Sequence, residues 1–84
     1  MTGRSELGDL FGAHLRDLRL ARGYTQADLA DRAGLPQTHV SAMERGIKLP
    51  NMVTLLRLAV ALNCKPAKLM AAFDQADLVA LLER

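Results

Sequence analysis

The side chains with most to offer a partner lie in one short stretch. Gln37, Thr38, His39, Ser41, Ala42 and Arg45 surround a narrow apolar stripe of Val40 and Met43, and none of the six is acidic. Side-chain amide, hydroxyl, imidazole and guanidinium groups without a carboxylate make a hydrogen-bonding surface that can approach a polyanion without repulsion. Gln37 opens the stretch, and a glutamine amide sets a donor beside an acceptor, the pair that matches N7 and N6 of adenine. Catalytic chemistry finds no such constellation. With two histidines and one cysteine there is no Ser-His-Asp set, no phosphate loop, no paired carboxylates in a glycine-rich setting and no metal-ligand spacing. The reading is therefore a non-enzyme with no cofactor, no metal and no small-molecule ligand. His14, on the edge of an apolar stripe, reads as a packed or surface histidine, and Cys64, with no His-Cys cluster near it, as a small core or interface residue.

Punctuation divides the chain into short helices that would position these groups. Leu7, Leu10, Phe11, Leu15, Leu18 and Ala21 recur at three- and four-residue steps, predicting a first helix over about 8–22, ended by Gly23. Thr25 can cap a second helix over 26–33, with Asp28 reaching back and Tyr24 packing on Leu29. Gly34 ends it. Pro36 is placed as the first residue of a third helix, to about 45, where its missing N–H costs nothing, and Gly46 stops that helix. After the loop 47–50, Asn51 and Thr54 open a fourth helix carrying Leu55, Leu56, Leu58, Ala59 and Leu62, which ends at Asn63. Lys65 and Pro66 start a fifth. Asp74 and Asp77 can cap a sixth bearing Leu78, Val79, Leu81 and Leu82, although 66–84 can equally be one continuous helix. No segment alternates apolar and polar residues as a strand does.

Two short helices joined by a tight glycine turn, the second with a nearly acid-free outer face, suit a major groove about 12 Å wide. Ala30 is small where the second helix would cross the third, Gly34 permits the sharp turn, and Val40 fills the angle between them. Residues 25–34, reading Thr-Gln-Ala-Asp-Leu-Ala-Asp-Arg-Ala-Gly, with Val40, Glu44, Arg45, Gly46 and Pro50 beyond, resemble the Cro/C1-type (XRE family) helix-turn-helix repressors over about 10–69. The resemblance implies an all-α, five-helix, lambda-repressor-like domain with a C-terminal helical extension, binding double-stranded DNA as a transcriptional regulator of repressor or restriction-modification controller type. By the same resemblance Gln37, Thr38 and Ala42 face base edges, and Ser41 is placed with them. Gln26 sits beside a phosphate at the amide end of the second helix and braces Gln37. Arg45 and Lys48 fall against the backbone, and Arg19 and Glu44 form a partly buried ion pair; His39, facing outward on the third helix, is placed with the backbone contacts, the alternative being simple exposure. Ala42, short where many members carry a long polar side chain, is left with a methyl contact to thymine.

The whole chain supports that reading. At 84 residues it is one domain, 1–84, with its core over about 8–70 and the extension over 71–84. Hydrophobic residues at 50% and charged residues at 24% favour a folded globule over disorder. One cysteine admits no internal disulfide, and no apolar run approaches the roughly 18 residues of a membrane span, so a cytoplasmic protein without a membrane partner is expected. Residues 1–68 carry ten Lys or Arg against six Asp or Glu, while 69–84 carry one Arg against three acids. The basic excess of +4 thus lies in the body and the tail stands at −2, an asymmetry that suits an anionic partner for the body. A homodimer through the C-terminal helices is expected, with Leu69, Met70 and Phe73 in the seam and Leu78, Leu81 and Leu82 extending it or folding back on the first helix. The alternative is an antitoxin or adaptor whose main partner is another protein.

Overall fold

The computed structural model describes residues 4–83 and divides them into α1 (Arg4–Ala21), α2 (Gln26–Ala33), α3 (Gln37–Glu44), α4 (Met52–Ala61), α5 (Pro66–Met70) and α6 (Gln75–Ala80), with no strand among them. The outermost ends of the expected domain, 1–3 and 84, lie outside the described residues. Local chemistry sets most boundaries. The Thr25 hydroxyl accepts the Asp28 amide at 3.0 Å while the Asp28 carboxylate accepts the Thr25 amide at 2.8 Å, a reciprocal cap that starts α2. Asn51 accepts the Thr54 amide at 2.8 Å to start α4. Asp74 and Asp77 repeat the reciprocal cap at α6, each bond 2.9 Å.

The first four helices end on one device. At the end of α2, Gly34 takes φ 67°, and the Leu35 amide reaches back to the Ala30 carbonyl at 2.9 Å. That left-handed turn occupies carbonyls the helix would leave bare, and it swings the chain at once into α3. Asn63 does the same after α4 at φ 52°, with the Cys64 amide on the Ala59 carbonyl; Gly23 and Gly46 close α1 and α3 in this way.

Three expectations shift. The first helix begins at Arg4, a turn earlier than the apolar stripe marks. Pro36 is the residue before α3, at φ −63° and ψ 142°, so Gln37 and not Pro36 is the first helical position. Of the two forms open for residues 66–84 the structure has the broken one: the chain turns over 71–74, and α6, capped by Asp74 and Asp77, follows the five helices as the C-terminal extension. Leu69 is completely buried, at 0% exposure, and so belongs to the core and not to a dimer seam.

Phe11, Leu15, Leu29, Val40, Met43, Leu58, Leu62 and Leu69 form the centre of that core, drawn from five helices. Both α1 and α2 pack on α3, α2 also packs on α4, and α5 bridges α4 and α1. The His14 imidazole reinforces the last contact by donating to the Lys68 carbonyl at 2.7 Å, and Phe73 stacks on Phe11 with ring centres 6.5 Å apart. No residue of α6 is buried. Leu78 and Leu81 turn back over an apolar groove of about 230 Å³ shared with Leu7 and Phe11 of α1, while Leu82 stays 86% exposed.

Candidate nucleic-acid interface

The residues expected to face DNA are carried by α2, α3 and the loop behind it. Val40 and Met43 turn into the core and fix the rotation of α3, so Gln37 and Thr38 stand exposed at its amino end. Their side chains hold no hydrogen bond to another described residue. Ser41, Ala42 and His39 are half-buried, His39 being less outward-facing than its sequence position suggests, and Arg45 and Lys48 are exposed beyond the end of α3. The structure thus brings Gln37, Thr38, Ser41 and Ala42 onto one short helix, with both cations at its far end.

What holds α3 is a buried polar knot. Arg19, 7% exposed in the last turn of α1, donates Nε to Glu44 Oε2 at 2.6 Å and Nη2 to Oε1 at 2.9 Å. Its Nη1 donates to the Tyr24 carbonyl at 2.8 Å. Glu44 also accepts the Gln26 amide at 3.1 Å. Four groups from α1, the α1–α2 turn, α2 and α3 therefore meet on one carboxylate and one guanidinium. The hydrogen bonds to Glu44 raise the Arg19 guanidinium above its ordinary value, against a burial that alone would lower it. Among the described residues no buried side-chain nitrogen or oxygen lacks a partner. A fork–fork pair of this kind is directional, which suits it to setting the angle of a helix.

One expectation about Gln26 needs correction: its amide braces Glu44, the last residue of α3, and not Gln37, the first. The expected reciprocal cap occupies the Thr25 and Asp28 amides and not those of Gln26 and Ala27. The same two bonds hold the Asp28 carboxyl below the usual carboxylate range, the backbone bond from Thr25 contributing most. Tyr24 packs at the core edge and lies under Arg32, whose guanidinium carbon stands 4.5 Å above the ring centre.

Sequence reasoning missed Gly8 and Gly12. A Cβ on Gly12 would stand 2.5 Å from the Met43 carbonyl oxygen and 2.6 Å from that of Glu44, and one on Gly8 would collide with the Gly46 carbonyl. The bare face of α1 lets the carboxyl end of α3 seat directly on it. The four-residue spacing of two glycines inside an apolar stripe was the available signal.

A short helix, a three-residue glycine turn and a second helix braced from behind define a helix-turn-helix unit. The family model described as Helix-turn-helix matches residues 15–69, and the chain belongs to that family, of the Cro/C1 (XRE) type. The chain is 33% identical over 70 residues to an uncharacterised HTH-type transcriptional regulator, y4dJ, of Sinorhizobium fredii, covering 83% of this chain and 91% of the relative. Among solved structures it resembles the restriction-modification controller protein C.AhdI from Aeromonas hydrophila, with a TM-score of 0.72 and 40% identity over 74% of this chain and 94% of that one. It also resembles the clp gene regulator ClgR from C. glutamicum, with a TM-score of 0.72 and 29% identity over 79% of this chain and 86% of that one.

Proposed function

We propose that this protein is a transcriptional regulator that binds double-stranded DNA in a sequence-specific manner, as a homodimer, with α3 in the major groove. The observation that carries the reading is the exposed, acid-free amino end of α3 held at a fixed angle by the Arg19–Glu44–Gln26 knot. A reading helix must bring hydrogen-bonding side chains to base edges without rocking. Gln37 and Thr38 supply those groups, Ser41 a third, and Ala42 a methyl contact. Gln26, His39, Arg45 and Lys48 contact phosphates and set the register. The names of the relatives support the regulatory part, since C.AhdI is a controller protein and ClgR a gene regulator. A control protein of the repressor or restriction-modification controller type, acting in the cytoplasm, is the form that best suits the chain.

One α3 reads only a few base pairs, too few to find a site among about a million competitors, so two copies on a pseudo-palindrome supply the missing specificity. The two copies of α3 then lie about 34 Å apart, one turn of duplex. Selection of bound duplexes from a random pool tests this reading. The expected product is a two-fold repeated half-site, and an unenriched pool contradicts it.

A further inference from the structure

The stop that ends α3 carries an apolar side chain with no use inside the chain. At each of the first four helix ends two amides reach back, and the second belongs to the residue just past the left-handed position: Tyr24 bonds the Arg19 carbonyl, Leu35 that of Ala30, Ile47 that of Ala42 and Cys64 that of Ala59. In such a stop the residue past the turn is drawn back alongside the one whose carbonyl it takes, and an apolar side chain there customarily packs inward. Tyr24, Leu35 and Cys64 do so, half-buried against the core. Ile47 does not. It stands 68% exposed, between the exposed cations Arg45 and Lys48. The residue it is drawn back to is Ala42, whose single methyl group cannot cover a four-carbon side chain.

Resting on the reading of α3 as a major-groove helix, we infer that Ile47 is a specificity-determining residue of that interface, set beside Ala42 to receive the C5 methyl group of a thymine. Among the groups that identify a base pair in the major groove, that methyl is the apolar one, and thymine alone carries it. Ala42 offers it one small wall, and Ile47 supplies a second. Any other base brings an amino group, a ring nitrogen or a carbonyl to the same place, and an aliphatic wall takes water from those groups without returning a hydrogen bond. Arg45 and Lys48 on either side meet phosphates whatever the sequence, so they hold the loop down while Ile47 makes the choice.

Replacing each thymine of the selected half-site in turn by uracil keeps the base pair and removes only the methyl group. Anisotropy titrations with the full chain then read its worth. The wild type loses about fourfold in affinity at one thymine, the factor for one buried methyl group. Ile47→Ala binds the thymine and uracil duplexes equally at that position, with its melting temperature and its slope of affinity against salt unchanged, and Ile47→Val keeps most of the discrimination. If Ile47→Ala still distinguishes the same thymine, the methyl group is read elsewhere and the inference is wrong. If that variant weakens every duplex alike, Ile47 packs on sugar and selects nothing, which also overturns it. An enriched half-site that tolerates every uracil overturns the role of Ile47 and leaves the groove reading of α3 standing, whereas a wild type that enriches no duplex brings both down.

Discussion

Removing the Gln37 amide should separate readout from folding. The side chain is exposed and bonds to no other described residue, so Gln37→Ala leaves stability unchanged and costs about 1–3 kcal/mol on the preferred duplex, with preference relaxed at one base pair. Anisotropy titrations against single-base variants of the site would show it; an unaltered base preference would take Gln37 out of the recognition set. Lys48→Ala weakens all duplexes alike and lowers the slope of affinity against salt by about one. The knot behind α3 behaves oppositely. Arg19→Met and Glu44→Leu each destabilise by about 3–5 kcal/mol, because the surviving charge stays buried without its partner, and the double variant recovers part of the loss. Chemical denaturation decides, and small additive losses would mean the two groups do not couple. Asp28 adds a pH dependence of known sign. Its carboxyl titrates lower folded than unfolded, so its contribution is present above the ordinary carboxylate pKa near 4 and is lost as pH falls through the depressed folded value. Asp28→Asn should therefore lower stability at pH 7 and flatten its decline below about pH 4.

The elements show why some of this was legible in the sequence and some was not. Caps and stops are written within four or five residues, which is why Thr25 with Asp28, Gly34, Gly46, Asn51 and Asn63 mark their boundaries correctly. Helix faces are written only where apolar and polar residues contrast. On α3 they do, and Val40 and Met43 are buried as expected. On α4 they do not, so Leu56 reads as core beside Leu55 although it stands 44% exposed. Leu69 and Phe73 mislead in the other direction, since an apolar residue near a chain end gives no sign whether its own chain or a second covers it. Gly8 and Gly12 escape notice because a glycine in a helix reads as a weakness until the backbone it admits is known. Gly12→Ala measures that approach: a methyl group 2.5 Å from the Met43 carbonyl oxygen must push α1 and α3 apart, at about 1–3 kcal/mol. Thermal melts should show the loss, and duplex affinity should fall with it although residue 12 lies far from the groove. An unchanged melting temperature would mean that the contact is looser than the structure shows.

For the molecule as a whole, charge and shape divide the work. Under the proposed function, the body, with an excess of +4 over residues 1–68, would supply attraction to phosphate that any sequence satisfies, while α3 would supply the choice among sequences. The acidic 69–84 segment would repel phosphate, and the same reading places it away from the duplex. The most direct test of the central claim is the affinity for a selected duplex and for a scrambled duplex of equal length, measured from about 50 to 200 mM salt. Binding through phosphates and bases together predicts that both affinities fall linearly on logarithmic axes, by about 0.9 in slope per neutralised phosphate, with the selected duplex held tighter by at least about a thousandfold. Absence of binding to either duplex at 50 mM salt would contradict the account and direct attention to a protein partner.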